Sequence, residues 1–188
     1  MTKILVADDD RVVLYTLSKG LREAGYEIIE ARDGLKALAL CRSEDFDLAL
    51  LDIRMPGLDG LELAKRLRTE TKVPFMFFSA YNDEDYVKRA VAAGALGYLV
   101  KPLSVKALLP TLRTALARAQ DIDGLKGALH NNRIVATAVG MLMKSQGLDR
   151  EIALEHLRQL ARGRRCKLED LAQSIVTDGK PPRLDEPQ

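Results

Sequence analysis

Five short apolar runs punctuate residues 1–103, and the segments between them carry apolar residues at helical spacing. The runs are Ile4–Ala7, Tyr26–Glu30, Leu48–Leu51, Pro74–Phe78 and Gly97–Val100. Several are almost continuously apolar, which suits strands buried on both faces rather than on one. Between them, sets such as Val13, Leu14, Leu17 and Leu21, or Leu61, Ala64 and Leu67, repeat at three and four. Strands alternating with helices imply a parallel sheet joined by right-handed crossovers. Five such units predict an α/β domain with a doubly wound, five-stranded parallel sheet over residues 1–120.

The residues just past each strand then become informative, because open parallel sheets bind ligands beyond the carboxyl ends of their strands. Asp8, Asp9 and Asp10 come after the first run, and Asp52 after the third. Ser79 comes after the fourth, and Lys101-Pro102 after the fifth. Carboxylates gathered together repel unless a cation joins them. A hard, oxygen-seeking ion such as Mg²⁺ suits them, because it keeps positions open for phosphate oxygens. Asp52 then reads as a nucleophile toward a phosphoryl group, Lys101 as its counter-charge and Ser79 as a hydrogen-bond donor. Asp10 reads as a helix N-terminus and is left out of the site.

The set Asp8-Asp9, Asp52, Ser79-Ala80, Tyr98 and Lys101-Pro102 resembles the receiver domain of two-component response regulators, a flavodoxin-like fold. The segment Leu51 to Gly60 is similar to that family's phosphoacceptor loop. The resemblance implies that Asp52 accepts a phosphoryl group from a partner histidine kinase. It implies Mg²⁺ held by Asp9, Asp52 and the backbone carbonyl of Arg54, with Asp8 acting directly or through water. Lys101 would pair with the phosphoryl group and Ser79 would move toward it. Tyr98 would turn inward behind Ser79, Ala80 would leave room for the donor, and the Lys101–Pro102 bond would be cis. No enzyme activity is expected beyond phosphotransfer to, and dephosphorylation of, the chain itself.

Past residue 120 the pattern changes. Residues 121–132 carry Asp121, Asp123, Gly124, Gly127, Asn131 and Asn132 and read as a linker. Ile122, Leu125 and Leu129 keep enough apolar spacing for a broken helical continuation. A small all-α domain of three helices is predicted over 133–177, with helices at 133–145, 150–162 and about 167–177. Gly147 would end the first and Asp149 would cap the second. Residues 178–188, with Gly179, Pro181 and Pro182, read as a disordered tail.

Charge is concentrated here. Residues 133–168 hold eight basic side chains against three acidic ones, while the chain as a whole is only +2. A basic cluster favours phosphate backbones, although a solvated face has the same composition. The ordered set Ile134, Ala138, Gly140 to Met143, Gly147-Leu148, Ala153, Leu157-Arg158, Ala161, Lys167-Leu168 and Ala172 resembles the ANTAR domain, an RNA-binding module of antitermination regulators. The resemblance implies binding to paired RNA hairpins in leader transcripts and a phosphorylation-promoted homodimer formed through the helical linker. Arg158, Arg162, Arg165 and Lys167 are the expected RNA contacts. Ala138 and Ala161 read as helix packing or as small residues allowing close approach, and Met141 and Met143 as core. Val139 and Cys166 depart from the family by replacing residues that are commonly polar or basic. Output through duplex DNA or through a protein partner stays open. Glu169 and Asp170 at the start of the last helix disfavour its use as a DNA reader.

Cys41 and Cys166 stand far apart without metal-type spacing and read as reduced thiols. The run Ile4–Ala7 is too short for a signal sequence, and no stretch approaches a membrane span. A soluble cytoplasmic protein is the expectation.

Overall fold

In the computed structural model, residues 1–102 and 104–180 are described, and they form two compact units that divide between Asp121 and Ile122. The first unit alternates strands and helices throughout: β1 (Lys3–Ala7), α1 (Arg11–Glu23), β2 (Glu27–Ala31), α2 (Gly34–Ser43), β3 (Leu48–Leu51), α3 (Gly60–Glu70), β4 (Phe75–Ser79), α4 (Glu84–Ala93) and β5 (Tyr98–Val100). The helix α5 (Val105–Gln146) comes next, and the chain continues into α6 (Arg150–Gly163) and α7 (Leu168–Asp178).

All strand pairs are parallel, in the order β2-β1-β3-β4-β5. Consecutive side chains of a strand point to opposite faces, so Ile4–Ala7 of β1, Leu48–Leu51 of β3 and Phe75–Phe78 of β4 are apolar at successive positions and serve two layers. Leu5, Ala49, Leu51, Phe75 and Phe77 face one cluster, completed by Leu38, Leu63, Leu67 and Ala90 from α2, α3 and α4. Ile4, Val6, Leu48, Leu50, Met76 and Phe78 face the other, completed by Leu14, Leu17 and Leu21 of α1 and by Leu108 and Leu112 of α5.

Aspartates start most of the helices. Asp10, Asp33, Asp59 and Asp83 each accept a backbone N–H of the first turn, and Asp149 does the same for α6. Ser104 Oγ accepts the Ala107 N–H at 3.3 Å at the start of α5. Pro110 lies inside α5 without ending it.

The segment expected to be a helical linker, or a broken continuation of the helix, is an unbroken part of α5. Asp121 to Asn132 are helical throughout, and the helix expected at 133–145 is the end of α5. Gly124 and Gly127 keep negative φ, whereas Gly147, which ends α5, sits at φ 69°. A mid-helix glycine costs about 1 kcal/mol relative to alanine, too little to stop a helix with ordered turns on both sides. A left-handed glycine does stop one. The same reason moves the end of the last helix. Asp178 is still in α7, and Gly179 caps it at φ 65°. The rest of the expected tail, 181–188, lies outside the described residues.

The second unit has its own core of Ala138, Val139, Leu142, Ala153, Leu157, Ala161, Leu171, Ala172 and Ile175. Ala138 and Ala161 are therefore packing residues, and Met141 and Met143 fill in at the edge of the same cluster. Val139 is also core, so its apolar character is what its position requires.

Candidate functional site

The carboxyl edge of the sheet gathers the residues that lie just beyond the strands. Asp8 is 2% exposed and Asp52 6% exposed, a costly placement for carboxylates unless each is compensated. Lys101 compensates both, with Nζ 2.6 Å from Asp8 Oδ2 and 2.9 Å from Asp52 Oδ1. Backbone donors take the remaining oxygens. The Asp10 N–H reaches Asp8 Oδ1 at 3.1 Å, and the Arg54 N–H reaches Asp52 Oδ2 at 2.9 Å.

The ladder sets these positions. The N–H of Asp52 donates to the Ala7 carbonyl at 2.8 Å, and the N–H of Lys101 to the Ser79 carbonyl at 2.8 Å. Those bonds place each residue one step beyond its strand. The Lys101–Pro102 peptide bond is cis. Gly60 allows α3 to begin close by, since a Cβ there would lie 2.0 Å from the Asp52 carbonyl oxygen.

Asp9 is exposed at the rim, yet one oxygen from each of Asp8, Asp9 and Asp52 lies within 4.8 Å of the others. Asp10 turns away and caps α1 through Oδ1, 2.8 Å from the Val12 N–H. Burial pushes the Asp8 carboxyl up, helped by the Asp52 charge, while Lys101 and the Asp10 N–H act against the rise. For Lys101, burial works to lower the ammonium's pKa, but the hydrogen bonds to Asp8 and Asp52 outweigh it and hold it above its ordinary value.

Ser79 is fully buried, and among the described residues its hydroxyl has no hydrogen-bond partner. Ala80, next to it, is exposed. Tyr98 is half-buried, its ring 6.1 Å from that of Phe77, and its hydroxyl donates to the Tyr81 carbonyl. Burial, and then the nearby charges of Asp52, Tyr86 and Asp83, raise the pKa of that hydroxyl.

A layout of five parallel strands with paired acids, a central aspartate, a hydroxyl and an amine at one edge matches known proteins along most of the chain. Residues 4–113 match the response regulator receiver domain. The chain belongs to the response regulators. Residues 123–176 of this response regulator match the ANTAR domain. It is 32% identical over 182 residues to the transcriptional regulatory protein PdtaR of Mycobacterium tuberculosis, covering 93% of this chain and 89% of that protein. It is 42% identical over 118 residues to the transcriptional regulatory protein ZraR of Klebsiella oxytoca, covering 62% of this chain and 27% of that one. Among solved structures, a CheY-like receiver domain protein of Methanospirillum hungatei superposes with a TM-score of 0.61 at 28% identity, over 64% of this chain and 98% of that one. Chemotaxis protein CheY4 of Vibrio cholerae gives 0.58 at 34% identity, over 61% and 98%. Receiver domains partner with histidine kinases, and ANTAR domains bind RNA.

In the ANTAR unit the four expected contact residues are all exposed, but they are not equivalent. Glu155 lies 3.6 Å from Arg158 and 3.7 Å from Arg162 and shares its charge between them. Among the described residues, Arg164, Arg165 and Lys167 make no ion pair. Arg165 is in the left-handed region at φ 50°, in the turn that carries the chain from α6 into α7. Cys166 is exposed there, with Sγ 3.8 Å from the Ala161 carbonyl.

Sequence reasoning misses the side chains of Arg54, Tyr81 and Tyr86. The Arg54 guanidinium lies 4.3 Å from the Tyr81 ring centroid, and the Tyr81 and Tyr86 rings are 5.3 Å apart. They come from separate segments, and no periodicity or strand-end rule marks them.

Proposed function

We propose that Asp52 accepts a phosphoryl group from a histidine kinase and that the ANTAR unit delivers the output by binding RNA hairpins in leader transcripts. The observation that carries the first half is the pairing of one ammonium with two buried carboxylates beside a buried hydroxyl that lacks a partner. Three carboxylates against one lysine leave the pocket doubly negative, and their oxygens are close enough to share one divalent ion. Asp9, Asp52 and the Arg54 carbonyl, with Asp8 directly or through water, would hold Mg²⁺, which supplies charge neutralisation for the phosphoryl oxygens when bound.

In the transfer, an Asp52 carboxylate oxygen attacks phosphorus as the donor's phosphorus–nitrogen bond breaks, and the nitrogen keeps the electron pair. Lys101 exchanges its bond to Asp52 for one to a phosphoryl oxygen and keeps its bond to Asp8. Ser79 donates its hydroxyl to a second phosphoryl oxygen, which satisfies it. Ala80 leaves the approach unobstructed, and Tyr98 fills the space behind Ser79. A phosphoryl group adds roughly −1.5 to −2 charges at neutral pH, so the conformer that brings Lys101 and Ser79 toward it is favoured. Asp52→Asn is expected to abolish labelling by a small phosphodonor while leaving the fold intact. Normal labelling of that variant would refute the assignment.

The output half rests on the basic turn after α6 and on an apolar stripe along α5. Ile122, Leu125 and Leu129 are exposed, at 41%, 66% and 70%, with the spacing of a two-helix seam. That stripe supports a phosphorylation-promoted homodimer, which presents two basic turns to two hairpins in an antitermination switch in the cytoplasm. Among the described residues no helix is long and apolar enough to cross a membrane. The test is a gel shift of phosphorylated protein with tandem-hairpin RNA and with duplex DNA of matched length. RNA preference is expected. A duplex preference would favour a DNA-binding regulator, and binding to neither would favour a protein partner.

A further inference from the structure

The phosphoryl chemistry uses only the backbone of Arg54, but its side chain is also engaged. The guanidinium lies over the Tyr81 ring at 4.3 Å and donates to the Tyr86 hydroxyl at 3.5 Å. The Tyr81 carbonyl, in turn, accepts the Tyr98 hydroxyl. The residue whose N–H holds Asp52 is thus linked, through one stacked ring, to the acceptor that holds Tyr98.

Tyr81 needs such support. The ladder of β4 ends at Ser79, and α4 starts only at Glu84, so Tyr81 lies in the connecting segment. The Tyr98 ring stands beside Phe77, two residues before Ser79 on the same face of β4. A ring held there packs against the strand that carries Ser79.

We propose that Arg54 is a positioning residue of the switch: by stacking on Tyr81 it fixes the carbonyl that keeps Tyr98 packed inward, and so biases the receiver unit toward the conformer that receives the phosphoryl group. This rests on the reading of Asp52 as phosphoacceptor. The route runs outside the pocket and is separate from Lys101. An exposed cation–ring contact has a worth equal to about a two- to fivefold change in affinity. Losing the Tyr98 hydroxyl bond is of similar or somewhat larger size, about two- to tenfold.

The test is calorimetric titration of the full chain with beryllofluoride in the presence of Mg²⁺. Arg54→Gln and Tyr98→Phe should each weaken binding within those ranges. Because they act on one element, the double variant should lose no more than the weaker-binding single one. Tyr81→Leu removes the ring but keeps the carbonyl, and should weaken binding as Arg54→Gln does. A second readout is the NMR contact between the Tyr98 and Phe77 rings, which lie 6.1 Å apart and which Arg54→Gln should loosen. Unchanged or tighter binding by Arg54→Gln, losses that multiply in the double variant, or an undisturbed Tyr98–Phe77 ring contact would each overturn the proposal. If the unaltered chain binds no beryllofluoride, the reading of Asp52 fails instead, and the proposal with it.

Discussion

Replacing Lys101 with methionine removes the ammonium but keeps a side chain of similar length, and its cost is set by the two bonds lost. Nζ sits 2.6 Å from Asp8 and 2.9 Å from Asp52, and both carboxylates are buried. Removing one partner of a buried ion pair costs about 3–5 kcal/mol, because the remaining charge is left uncompensated. The exposed rim at Asp9 lets water and salt ions approach, so the low end, about 3 kcal/mol at pH 7.5 without Mg²⁺, is expected. The pH dependence has a definite sign. Asp8 already sits above the ordinary carboxylate value through burial, with Lys101 pulling it down. Without Lys101 it rises further. A carboxylate whose folded pKa exceeds its unfolded one costs stability as pH rises from the unfolded value to the folded one. The deficit of Lys101→Met should therefore shrink on acidification, as Asp8 takes up a proton, and added Mg²⁺ should also reduce it. Urea unfolding monitored by near-ultraviolet circular dichroism measures this cleanly. All five tyrosines lie between residues 15 and 98 and there is no Trp, so the tyrosine signal reports the receiver unit alone. A variant as stable as the unaltered chain at pH 7.5, or a deficit that grows on acidification, would refute the reasoning.

Gly60→Ala should destabilise the receiver unit by about 3 kcal/mol in the same assay, as the new Cβ meets the Asp52 carbonyl oxygen at 2.0 Å. Leu125→Asp combined with Leu129→Asp should leave both units folded but hold the chain monomeric in beryllofluoride and Mg²⁺, as sedimentation would measure. Burial pushes the Cys41 thiol up to about 12, whereas Cys166 is exposed. Iodoacetamide at pH 8 should therefore modify Cys166 rapidly and leave Cys41 intact until the protein unfolds, as read by peptide mass spectrometry.

The sequence is most legible where a residue type has one physical use. The apolar runs announce strands buried on both faces, because no other element of that length tolerates such continuity. The acids, serine and lysine just past them fall together because parallel strands all point their carboxyl ends to one edge. Left-handed glycines and capping aspartates mark helix ends, and Gly147 and Asp149 take up those positions. Residues 121–132 read as a helical linker or a broken helix, and the helix runs through them unbroken, because glycines and short polar residues weaken a helix only slightly and neighbouring turns decide whether it persists. The roles of Val139 and Glu155 are hidden for a related reason. One is core and the other shares its single charge between two arginines, and both facts depend on which way a helix face turns.

Periodicity and residue chemistry alone determined the sheet, its flanking helices, the edge where the acids meet and the second helical unit. They did so because burial and charge compensation act on every residue along the chain. Only the tertiary structure decided that Lys101 bridges Asp8 and Asp52, that the Ser79 hydroxyl finds no partner among the described residues, and that Arg54 stacks on Tyr81. Those are meetings of side chains from distant segments, and their geometry exists only after the segments have packed.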